Sequence, residues 1–270
     1  MDQAADALDT GDCETAVRLT SEALANGADP VRARALRAEA LRDLGKLELA
    51  EADYVAVTRI APNDASAWAE AASFWFDTLQ FDSCSRAVDI ALDLDPDCAA
   101  AWFVRAMLRE RADDMPGAQR CYQRAFCIEP NAFPLPIPLD DEAVEKVVEE
   151  ALRDLHPSIR EWLRWVTIIL EDVPDEEVCR QFDPVMPPGE ILGCFSGPSM
   201  RDRTVELDTF PGGDVSWKLL PPSIVLYRRN LERMAQDEAH LLSELQITVF
   251  HEIGHFLGLD EDDLIARGLD

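Results

Sequence analysis

From residue 1 to about 130 the chain alternates Ala- and Leu-rich stretches of helical period with breaks at a nearly constant interval. Pro30, Pro62, Pro96 and Pro130 stand 32, 34 and 34 residues apart. Each follows a helical stretch, and proline ends a helix because it lacks the N–H that the ladder needs. Between these breaks residue types recur in phase. Trp68 and Trp102 hold the fourth position of their repeats, and Ala38, Ala72 and Ala106 the eighth. Ala50, Cys84 and Ala118 hold the twentieth, and Ala91 and Ala125 the twenty-seventh. Small residues there let antiparallel helices approach closely, while Tyr54 and Tyr122 at the twenty-fourth position fill the seams between repeats. The pattern predicts stacked helix pairs with a concave face, an α-solenoid.

After residue 130 the pattern changes. Residues 131–140 read Asn-Ala-Phe-Pro-Leu-Pro-Ile-Pro-Leu-Asp, and alternating prolines forbid a helix and favour an extended, semi-rigid connector. The apolar residues between the prolines place it against protein. The domain plan is therefore a repeat domain over 1–132, a connector over 133–140 and a second domain over 141–270. In the latter, 141–155 has the apolar stripe Val144, Val147, Val148, Leu152 of an amphipathic helix, capped by Asp140 or Asp141. Val166–Leu170 reads as a buried strand, with 191–195 and 223–227 as further strands. The Gly- and Pro-rich stretch 196–222 reads as loop. Residues 237–258 form a long helix with Leu242, Leu245, Val249, Ile253 and Phe256 as its packing stripe.

Charge narrows the partners. The chain holds 53 acidic and 25 basic residues, a net charge of −28, which repels nucleic acid and anionic membrane surfaces. No apolar run approaches bilayer length. The segment Met1–Asp6 lacks the basic and apolar regions of a signal peptide. Seven cysteines without a C-x-x-C pair argue against a disulfide framework or a cysteine zinc site, so the expected location is the cytoplasm.

The candidate chemistry lies on the last long helix, in His251-Glu252-Ile253-Gly254-His255. Two histidines four residues apart share one helix face and can share one metal ion. Neutral imidazole is a good zinc ligand, and two of them with one carboxylate leave a fourth position for water. Glu252 lies about 100° around the helix from His251 and is the candidate general base. Gly258 can take the left-handed conformation that ends a helix and turns the chain back. The acids beyond it, Asp260, Glu261 and Asp263, are the candidates for a third ligand. Glu261 stands at the third position after the glycine, so the segment reads H-E-x-x-H-x-x-G-x-x-E.

Two family resemblances follow. The phased residues of 1–132 resemble the tetratricopeptide repeat, in about four repeats with the first shortened. That resemblance implies a peptide- or protein-binding groove lined by the first helix of each repeat. Phe76, Phe103, Val104 and Met107 are expected there, with Glu39, Asp43, Glu70, Asp77 and Glu110 nearby. The fifth and ninth positions read Ala35, Glu39, Ala69, Ser73, Phe103 and Met107, so a Lys/Asn clamp for a terminal carboxylate is absent and an apolar or basic segment is the expected partner. The stretch from about 139 to 270 looks like the minimal zincin-like metallopeptidases. The matching segments are the opening helix, Val166 to Pro174, Ile191-Leu192-Gly193, Ile224 to Arg228, and His251 through Leu264. The family usually carries Asp where this chain has Glu261, and the insertion Ser199–Leu220 is longer than its usual loop.

The expected architecture is an α-solenoid of tetratricopeptide repeats followed by a small α/β (α+β) minimal zincin domain. The resemblance implies Zn2+ held by His251, His255 and Glu261, with Glu252 taking a proton from the zinc-activated water during peptide-bond hydrolysis. A strand such as 223–227 is expected to pair with extended substrate, and Tyr227 and Arg228 are candidate oxyanion or substrate contacts. A second reading stays open from the sequence: a non-catalytic interaction scaffold with a structural or vestigial zinc site.

Overall fold

The computed structural model describes residues 1–182, 184–201 and 222–268. Backbone contacts divide it into two units, Met1–Leu135 with Arg180–Pro187, and Pro136–Cys179 with Pro188–Asp270.

The first unit begins with paired helices: α1 Asp2–Asp9, α2 Cys13–Ala25, α3 Pro30–Asp43, α4 Leu47–Ile60, α5 Ala65–Asp77, α6 Phe81–Leu94, α7 Ala99–Arg111 and α8 Met115–Ile128. Aspartates start four of them, Asp12, Asp29, Asp64 and Asp114 each accepting a backbone N–H of the first turn. The phased alanines do what the repeat requires: Ala38, Ala72 and Ala106 are fully buried where paired helices meet. Tyr54 packs on Phe74 with centroids 4.9 Å apart, and Tyr122 on Phe103 at 5.3 Å. Each phased tryptophan donates its indole N–H to the carbonyl of the preceding break, Trp68 to Pro62 at 3.0 Å and Trp102 to Pro96 at 2.8 Å.

Two expectations need correction here. Pro30 does not end a helix but begins α3, because α2 already stops at Ala25 and Gly27 turns the chain with φ of 81°. Proline suits a first helical position, where its missing N–H would have no partner. Phe76 is not a groove residue: it is buried against Phe81, with centroids 5.5 Å apart. Nor do Asp43, Asp77 and Glu110 line the groove, and Glu110 is buried; Ala35, Glu39, Ala69, Glu70, Ser73, Phe103, Val104 and Met107 do line it, in a space of about 720 Å³. Asp53 is a buried charge of this unit, 2% exposed and held by Arg34 and Arg37 at 2.6 Å each.

The second unit opens on α9 (Asp141–Asp154) and α10 (Pro157–Leu163), then β1 (Thr167–Glu171) and a short α11 (Glu176–Cys179). Next come β2 (Gly193–Ser196), β3 (Ser223–Tyr227), α12 (Arg228–Met234), α13 (Glu238–Leu257) and α14 (Glu261–Ile265). The sheet runs β1-β3-β2, with β1 parallel and β2 antiparallel to β3. The core joins Val144, Val147 and Ala151 of α9, Ile224 and Leu226 of β3, and Leu241, Leu245, Val249, Ile253 and Phe256 of α13. Leu241 rather than Leu242 heads the α13 stripe, because 241, 245 and 249 follow the i, i+4 line that faces the sheet.

The sheet order changes the reading of two strands. β1 is an edge strand whose residues alternate in burial, with Ile169 38% exposed, and is not a buried one. β3 is central and paired on both sides, so it has no free edge to offer an extended substrate. The long loop expected over 196–222 lies mostly outside the described residues. Among those described, no helix is long and apolar enough to cross a membrane.

Candidate metal centre

Helix α13 is launched by Asp237, whose side chain accepts the His240 N–H, and runs twenty residues before Gly258 stops it with φ of 90°. His251 and His255 lie one turn apart on its last turns, and their Nε2 atoms approach to 3.0 Å. The Gly258 and Leu259 N–H groups fold back onto the His255 and Gly254 carbonyls at 3.0 Å each, closing the helix end and reversing the chain. Asp260 then caps α14 by accepting the Asp263 N–H at 2.9 Å. Glu261 is the first residue of α14 and turns back on the histidines. Its Oε1 lies 3.3 Å from His255 Nε2, and its Oε2 lies 3.8 Å from His251 Nε2.

These three side chains form the one cluster of potential metal donors found among the described residues. The spacing suits zinc. Ligands about 2.0–2.1 Å from a tetrahedral ion sit about 3.3 Å from one another, between the 3.0 and 3.8 Å seen here. The alternative acids have other engagements: Asp260 is a helix cap, and Asp263 pairs with Arg267 at 3.1 Å. His255 Nδ1 lies 3.2 Å from the Leu259 carbonyl, which can only accept, so a neutral His255 carries its proton there and leaves Nε2 bare.

Glu252 is buried, 4% exposed, on the side of α13 that meets β2. Burial pushes its carboxyl up to about 8, and the charge of Glu261 adds to the rise. The Phe195 backbone N–H donates to it and opposes the rise. The close approach depends on Gly193, where a Cβ would stand 2.7 Å from Thr248 Cγ2 and 3.1 Å from Glu252 Oε1. Cys194, the next residue, has its thiol pushed up to about 11, by burial first and then by Glu252.

Residues 163–269 match the family described as zincin-like metallopeptidase, and residues 1–65 and 76–126 match the tetratricopeptide repeat. The chain carries a zincin-like metallopeptidase domain behind tetratricopeptide repeats. Among solved structures, MamA (41-end) from Desulfovibrio magneticus RS-1 is 22% identical, with a TM-score of 0.42 over 48% of this chain and 73% of that one. YrrB, a TPR protein with an unusual peptide-binding site, is 16% identical, with a TM-score of 0.41 over 47% of this chain and 66% of that one. No curated protein matches the chain. The zincin-like family implies zinc, and the donor set above fits that ion.

In the zincin-like domain, Tyr227 and Arg228 stand apart from the trio in their contacts. Tyr227 is 2% exposed at the end of β3, its hydroxyl pushed upward by burial and then by Cys194. Arg228 donates to the Leu139 carbonyl at 2.6 Å and to the Asp141 carboxylate, which ties it to the start of α9. Three contributors escaped sequence reasoning: the Phe195 N–H, the Leu259 carbonyl and Gly193. The first two are backbone groups, invisible in residue types. Gly193 carried a signal, since an isolated glycine beside a strand often marks close backbone approach.

Proposed function

We propose that this chain is a zinc-dependent peptidase whose chemistry resides in 141–270 and whose repeats recruit a protein or peptide. The observation that carries it is the convergence of His251, His255 and Glu261 at ligand spacing with the buried carboxyl of Glu252 on the same helix. His251 Nε2, His255 Nε2 and one Glu261 oxygen would hold the ion. Bound there, zinc supplies Lewis acidity, polarising a carbonyl and lowering the pKa of water. Glu252 takes the proton from the attacking water and returns it to the leaving amine. The Phe195 N–H orients the Glu252 carboxylate for that exchange.

Substrate in this reading lies along β2, not β3. The Tyr227 N–H donates to the Leu192 carbonyl at 2.8 Å, while the Phe195 N–H turns the opposite way, toward Glu252. Antiparallel alternation then points the backbone groups of Gly193 and the Phe195 carbonyl outward, the Phe195 N–H being taken by Glu252. An extended peptide adds to that edge as a further strand, beside Glu252.

The repeat groove supplies recognition. Phe103, Val104, Met107 and Leu36 give it apolar wall, and Glu39 and Glu70 line the same space. The Glu70 carboxyl is pushed upward by burial and then by the charges of Glu39 and Asp64, so a cation arriving there relieves repulsion. A segment pairing apolar with basic side chains is the partner this chemistry suits.

The deciding experiment is zinc loading of the full chain with elemental analysis. About one zinc per chain is expected, lost in His251→Ala and weakened far more by Glu261→Ala than by Asp260→Ala or Asp263→Ala. Absence of zinc above background ends this reading. The alternative of a structural site requires a fourth protein ligand. X-ray absorption showing four protein donors would therefore favour the scaffold.

A further inference from the structure

Gly254, one of the two unspecified positions of the motif, sits between the two histidines in sequence but faces to one side of them, toward the returning chain. A Cβ placed on it would fall deep inside van der Waals contact of Leu264 Cδ2, with Leu264 Cγ at 3.6 Å and Leu259 Cδ1 at 3.6 Å. Leu264 is fully buried, so its side chain has no solvent to swing into. It also belongs to α14, the short helix whose first residue is Glu261. Leu264 stands three positions after Glu261 on the same short helix, so whatever fixes the depth of the leucine fixes the reach of the carboxylate.

We infer that Gly254 and Leu264 form a positioning contact that sets the distance of Glu261 from the histidine pair, and so sets zinc affinity. This rests on the reading of His251, His255 and Glu261 as the metal ligands. The fastening has three parts. The Leu259 N–H returns to the Gly254 carbonyl at 3.0 Å, Asp260 caps α14, and Leu264 fills the gap left by the missing Cβ. The first two parts fix the turn and the helix start. The third fixes how closely α14 lies on α13. Metal–ligand distances in well-formed sites stay within about 0.2 Å of their usual values. A methyl group on Gly254 demands a larger retreat of Leu264 than that, and Glu261 moves with it.

Helix energetics make the idea separable from a general stability effect. Glycine within a helix is less favourable than alanine, so Gly254→Ala favours α13 as a helix while crowding α14. The test measures zinc affinity of the full-length protein by competition with a chromogenic chelator, and thermal unfolding of the zinc-free protein. Gly254→Ala is expected to weaken zinc about 10- to 100-fold, as loss of supporting contacts does elsewhere, with zinc-free Tm unchanged or raised. Adding Leu264→Val, which shortens the crowding side chain, is expected to recover most of that loss.

Wild-type zinc affinity in Gly254→Ala overturns the inference, because Leu264 has then repacked without moving Glu261. An unrecovered loss in the double variant overturns it too, since the damage is then not the clash. If the wild type takes up no zinc, the metal reading falls and this inference with it, a result distinct from the other two.

Discussion

The two units hold their shape by different means. In the repeats, cohesion is local and repeated: small residues at Ala38, Ala72 and Ala106 let each helix sit on its partner, and the Trp68 and Trp102 indoles tie each repeat to the break before it. In the second unit, cohesion joins distant segments: Val144 and Val147 meet Val249 and Ile253, and Gly193 meets Thr248 and Glu252. The difference teaches where damage stays. A fault in one repeat reaches its neighbours and fades, since solenoid stability is a sum of nearest-neighbour contributions. A fault in the second unit reaches the chemistry, because His251, His255 and Glu252 lie on the same helix that carries the core.

Three substitutions sharpen that contrast. The largest effect is expected from Glu252→Gln, which keeps shape but cannot accept the proton. General acid–base contributions imply a loss of about 10²–10⁴-fold in peptide cleavage, with zinc content unchanged. A broad peptide library scored by mass spectrometry supplies the substrate, and equal rates in variant and wild type would refute the role of this carboxylate.

Next comes Asp53→Ala in the repeats. It leaves the Arg34 and Arg37 guanidinium groups without the buried carboxylate that binds both. Because both arginines reach solvent, the loss is that of hydrogen-bond partners to charged groups, about 1–3 kcal/mol, read as a lower denaturation midpoint for the first unit. Zinc affinity is expected to stay at the wild-type value, and a parallel loss of zinc would erase the distinction between the two units.

The smallest effect belongs to Trp102→Phe, which keeps the ring but drops the donor to the Pro96 carbonyl. One hydrogen bond is worth about 0.5–1.5 kcal/mol, so a modest fall in Tm is expected. Should the loss equal that of Asp53→Ala, the indole is doing more than bridging repeats.

Legibility in the sequence divides along the same line. The repeats could be read because their signal is periodic: the groove residues Ala35, Ala69, Ser73 and Phe103 fell where position alone put them. Phe76 misled because an aromatic at a groove phase serves equally well against Phe81. In the second unit the trio was readable through Gly258, a residue whose conformation dictates a reversal. The edge position of β1 was not, since Val166-Thr167-Ile168-Ile169-Leu170 is apolar but for one threonine and shows no strict alternation, and its partner strand is more than fifty residues away. Gly193 and the Phe195 N–H stayed hidden for a similar reason, as their meaning lies in Glu252, on a helix reached only through the fold.

The whole donor set spans residues 251–261, while the core residues of α13 run from Leu241 to Phe256 and hold the helix on their own. An ion gripped by so short a stretch of chain closes only a small loop, and small loops add little to the ordering of the rest. Chelation is therefore expected to unload this domain without melting it, unlike a zinc finger, whose fold is its metal site. In that case zinc is expected to be removable and restorable without refolding, a result that far-ultraviolet circular dichroism before and after chelation would check.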